Sequence, residues 1–133
     1  MLNPELFIDE AHEQRLRLLA ERVTEQLRIA GFAVPDDPTE AGGAEVEVKK
    51  MAYAPGVFLH WYVHPSWPQR LIEPTVDGEP DHADAQRYSE VKGAMEEALV
   101  KVVRVLGFTT HHHEYPDWSG WEVRDPAEEQ ETP

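Results

Sequence analysis

No cysteine occurs in the 133 residues, which excludes a disulfide framework, a thiolate metal site and a cysteine nucleophile. The same absence suits a reducing compartment. No stretch approaches the roughly 18 uncharged apolar residues of a membrane-spanning helix. The opening MLNPELFIDE has neither a basic n-region nor an apolar h-region. The expectation is a soluble cytoplasmic protein without a membrane partner. Cations are also scarce, with 12 Lys and Arg against 26 Asp and Glu and a net charge of −14. The surplus acid lies in residues 35–43, 73–90 and 114–133, while the segments between them balance. A chain with no basic footprint is not expected to bind nucleic acid directly. The excess acid reads as solubilising.

Catalytic signatures are missing as well. The three serines, Ser66, Ser89 and Ser119, lie in no Gly-x-Ser-x-Gly elbow. Ser66 and Ser89 read as helix caps. There is no Walker loop, no dinucleotide glycine pattern and no His-Glu-x-x-His. The acidic pairs sit in loops, where a solvated carboxylate lacks the burial that general-acid work needs. A non-catalytic protein without a cofactor is expected.

What the chain does contain is organised around Gly56–His64, GVFLHWYVH, nine uncharged positions rich in β-branched and aromatic residues. With period two, Val57, Leu59, Trp61 and Val63 fall on an apolar face. Phe58, His60, Tyr62 and His64 fall on the other. Leu16, Leu19, Ala20, Val23, Leu27 and Ala30 make one helical stripe within residues 9–30, stopped at Gly31 with Phe32 as the apolar contact of the cap. Residues 33–43 read as a loop, and a strand over Glu45–Met51 pairs with Gly56–His64 as a hairpin. Ser66 opens a short helix that Pro74 stops.

A second long helix covers about 84–106, with Tyr88, Val91, Met95, Ala98, Leu99, Val102 and Leu106 on its stripe. Gly107-Phe108 repeats the ending Gly31-Phe32, and another hairpin follows over Phe108–Tyr115 and Trp121–Arg124. The order is α-β-β-(short α)-α-β-β. It predicts an α+β two-layer sandwich, an antiparallel four-stranded sheet with both main helices on one face. Residues 1–124 form one domain in this reading, and 125–133 are a disordered acidic tail.

The Gly-Phe helix endings, the GVFLHW strand, the length and the acidity resemble small uncharacterised acidic proteins of actinobacteria, some carried near phage or mobile-element genes. That resemblance implies an accessory or regulatory role and carries over no site residue.

The open sheet face is the candidate site. Phe58, His60, Tyr62 and His64, joined by Trp118, place more apolar area together than a monomer comfortably exposes. A protein partner or a homodimer covering this face is the principal reading. The alternative is a metal-binding protein or small metalloenzyme. His111 and His113 share a strand face about 7 Å apart. With His60 from across the sheet they supply three imidazoles, and Glu45 or Glu47 completes the shell. His60 and His64 alone, about 13 Å apart, cannot share an ion. A third reading makes the acidic chain a nucleic-acid mimic that inhibits a DNA-binding protein.

Overall fold

A computed structural model describes residues 6–66 and 82–130. Helix α1, Glu10–Ala30, starts where the Asp9 carboxylate accepts the His12 N–H at 2.8 Å and carries Glu10 and Glu13 in its first turn. It ends at Gly31, φ 106°, where Phe32 N–H reaches back to Leu27 O at 3.0 Å. The second long helix, α3, His82–Val105, ends the same way: Gly107 sits at φ 105° and Phe108 N–H donates to Val103 O at 3.2 Å. Only a residue without a Cβ takes this left-handed cap cheaply, so the repeated Gly-Phe sets two helix ends with one geometry.

Between the helices lie α2, Pro38–Ala41, then strands β1, Gly43–Lys49, and β2, Gly56–Tyr62; β3, Thr109–Glu114, and β4, Ser119–Arg124, follow α3. All pairings are antiparallel, in the order β1-β2-β4-β3. The expected α+β architecture is therefore present, with four antiparallel strands and the α-β-β-α-β-β order. Helix α1 rests on β1 and β2, and α3 on β2 and β3. Leu19, Val23 and Leu27 from α1 and Leu99, Val100 and Val103 from α3 bury themselves on Val57, Leu59 and Val123. Val46, Val48, Trp61 and Trp121 pack at the margin of this core. Each side chain fully buried there contributes on the order of 1.5–3 kcal/mol.

Three segments differ from expectation. The 33–43 loop contains α2, because Asp37 caps its Thr39 N–H at 3.1 Å and Pro38 takes the first turn. Asp125–Pro133, expected as a disordered tail, begins with helix α4, Pro126–Gln130. Its Asp125 carboxylate accepts Ala127 N–H at 2.9 Å and pairs with Arg22 of α1 at 2.6 Å, so the chain is tied to the body of the fold at its start. The Arg22 guanidinium, followed by the Ala127 amide, holds the Asp125 carboxyl below its usual range. Finally, β1 stops at Lys49 instead of running to Met51, which forms a separate bridge with Phe7 while Ile8 N–H donates to Lys50 O at 2.9 Å. The short helix expected between Ser66 and Pro74 lies, beyond Ser66, outside the described residues.

Candidate functional site

The sheet face turned away from the helices is fixed by register. Glu47 stands opposite Phe58, Phe58 opposite Glu122, and Glu122 opposite His111, one row across all four strands. Beside that row Glu45 faces His60, and His113 faces Gly120. Period two places all of these on one side. The expected split of Val57, Leu59 and Trp61 from Phe58, His60 and Tyr62 holds along β2.

Phe58 is not part of an exposed aromatic patch: it is only 1% exposed, although it lies on the face away from α1 and α3. Trp118 stands edge-on to its ring at 5.4 Å and 78°, and His113 lies 5.9 Å away. The Lys49 ammonium sits 3.7 Å from the centroid of Trp118 and 5.2 Å from that of Phe58. Trp118 closes over the sheet because residue 120 is glycine, where a Cβ would lie 3.1 Å from the Trp118 ring and 3.4 Å from Phe58. Tyr115 stacks on Trp118 at 4.6 Å and 28°, and on His113 at 6.1 Å and 10°. The turn between β3 and β4 closes with Tyr115 N–H donating to Trp118 O at 2.8 Å. What solvent meets is thus a ridge of Tyr115 and Trp118 seated on Phe58. Sequence reasoning missed Tyr115. The signal for the tyrosine was Tyr115-Pro116-Asp117-Trp118, two aromatics bracketing a Pro-Asp turn.

Ionic groups flank the ridge. Glu122, 7% exposed, accepts from Arg124 Nε and Nη2, both at 2.9 Å, and its Oε1 lies 2.7 Å from His113 Nε2. On the other side His60 Nε2 lies 2.8 Å from Glu47 Oε1, and Tyr62 O–H donates to Glu45 Oε1 at 3.4 Å. Burial first, then the charge of Glu45, the hydrogen bond to it and the charge of Glu47 push the Tyr62 phenol above its usual 10.0.

A group whose pKa is higher folded than unfolded holds its proton longer in the native state. Its stabilising contribution is complete below pH 10 and is lost as pH rises through the window above it. In a spectrophotometric titration Tyr62 is expected to ionise above the ordinary phenol range. Glu45→Gln moves that titration downward while leaving the burial contribution; an unmoved titration contradicts the arrangement.

His60, His111 and His113 do not come together. His60 is in β2 and the other two are in β3, with β4 between them, so two interstrand spacings of about 4.8 Å separate them. His112 points to the helix side, 4.8 Å from Trp121. His64 lies beyond the end of β2, exposed, with Nδ1 2.9 Å from Ser66 Oγ. Among the described residues, the metal-ligand types that do converge are Glu45, Glu47 and His60, which bring one ligand atom each within 4.8 Å of one another.

Comparison with protein-family models, curated proteins and solved structures finds no match. Function therefore rests on geometry. Among the described residues no helix is long and apolar enough to cross a membrane.

Proposed function

We propose that this chain is a non-catalytic binding protein that engages another protein, in the first instance a second copy of itself, through the sheet face opposite the helices. The observation that carries this reading is the ridge of Tyr115 and Trp118 seated on buried Phe58. Tyr and Trp dominate the energetics of protein contacts, and rings already fixed by stacking lose little entropy when a partner covers them. Lys49 over Trp118 and the Glu47 and His60 groups beside it form the polar rim such a contact uses. The two-fold symmetry of a homodimer would set ridge against ridge in a self-complementary contact.

The experiment is sedimentation equilibrium of untagged protein over a range of concentrations and salt. Two chains of charge −14 repel, so the dimer should tighten as salt rises from about 0.05 to 0.5 M. A monomer under all these conditions refutes self-association.

A further inference from the structure

We propose that Glu45, Glu47 and His60 form a zinc-type divalent metal site at the β1–β2 side of the outer sheet face. The two carboxylates stand two residues apart on an edge strand, so both point outward from the same face. His60 is directly opposite Glu45 in the antiparallel register, and its Nε2 already lies 2.8 Å from Glu47 Oε1. One donor atom from each of the three lies within 4.8 Å of the others, a separation that small side-chain rotations close around an ion. All three residues are partly exposed, which gives an ion a way in and leaves room for water beside three protein ligands. That is the ligand count of open zinc centres.

An imidazole with two carboxylates favours zinc and its transition-metal neighbours over magnesium, which prefers water and oxygen ligands. Lys49, a competing cation, is 4.0 Å from Glu47 and is held over Trp118, so it stands beside the three ligands and not among them. The aromatic ridge lies across the sheet, on the β3–β4 turn. Glu47 and His60 also stand in the rim proposed for the partner contact, so an ion held there sits at the margin of that contact.

The test is calorimetric titration of chelator-stripped protein with zinc chloride in excess magnesium. The expected result is saturable uptake of one zinc ion per chain. Glu47→Gln and His60→Ala should each weaken it by at least the roughly 10- to 100-fold that loss of a mere outer-shell partner costs. Glu45→Gln, which keeps the side-chain shape, serves as a third variant, and circular dichroism establishes that all three are folded. The double variant His111→Ala, His113→Ala should bind zinc as the wild type does. Absence of saturable uptake overturns the site. So does uptake that survives Glu47→Gln and His60→Ala, or uptake lost with His111 and His113.

Discussion

Phe58→Ala is expected to lower the unfolding free energy by about 3–5 kcal/mol, the range for truncating a fully buried phenylalanine. Phe58 lies on the sheet face opposite α1 and α3, yet it is as buried as Leu99 and Val123 in the main core. Truncation removes the ring against which Trp118 stands and opens a cavity beneath Gly120. The neighbours cannot refill it: Lys49 is drawn to the rings themselves, and His113 is fixed by Glu122. Urea unfolding followed by far-ultraviolet circular dichroism measures the loss. Tyr53→Ala, at a position 69% exposed, supplies the comparison and should stay within about 0.5 kcal/mol of wild type. A Phe58→Ala loss below about 1 kcal/mol would mean that the outer face is loosely packed. The ridge would then have no rigid seat.

Glu122→Ala should cost about 2–4 kcal/mol, slightly less than the figure for a fully buried ion pair because Arg124 and His113 keep some contact with solvent. One carboxylate serves both of them, with two hydrogen bonds from Arg124 at 2.9 Å and a contact of 2.7 Å with His113. Removing it takes the shared acceptor from Arg124 and His113 beside the Phe58 cluster and releases the His113 ring that stacks on Tyr115. Glu122→Gln preserves the side-chain shape and one acceptor oxygen, so its cost should be smaller. The same denaturation experiment ranks them. Equal losses for alanine and glutamine would show that charge, and not packing around an acceptor, carries the effect.

The long elements were legible because each is a periodic pattern with a local stop. The α1 stripe ends at Gly31 and the α3 stripe at Gly107, and in both the following phenylalanine donates to the carbonyl five residues back. Alternation along β2 assigned its two faces, and Pro65 marks where it gives way. The short helices were missed for one shared reason. Asp37-Pro38-Thr39-Glu40 and Asp125-Pro126-Ala127-Glu128 are the same pattern of capping aspartate, first-turn proline and acid. Read as composition, both stretches look like acidic linker; read as caps, both start a helix.

The site was legible only in part. Period two puts Phe58 on the outer face, but it cannot show that a distant turn folds back to bury it. That depends on Gly120 admitting the Trp118 ring, a contact between non-adjacent side chains. Likewise the three imidazoles were grouped by residue type, and the strand order then inserted β4 between them. Adjacency of strands, which no single-strand pattern encodes, decides which ligands meet.

Replacing Tyr115 by serine and repeating sedimentation equilibrium at high salt tests the binding face most directly. The tyrosine is 36% exposed, and its backbone N–H to Trp118 survives the change, so the fold should be retained. A wild-type dimer that becomes monomeric with Tyr115→Ser, while circular dichroism is unchanged, is the predicted result. A dimer of undiminished strength in the variant would place the contact elsewhere and contradict the assignment of the outer face.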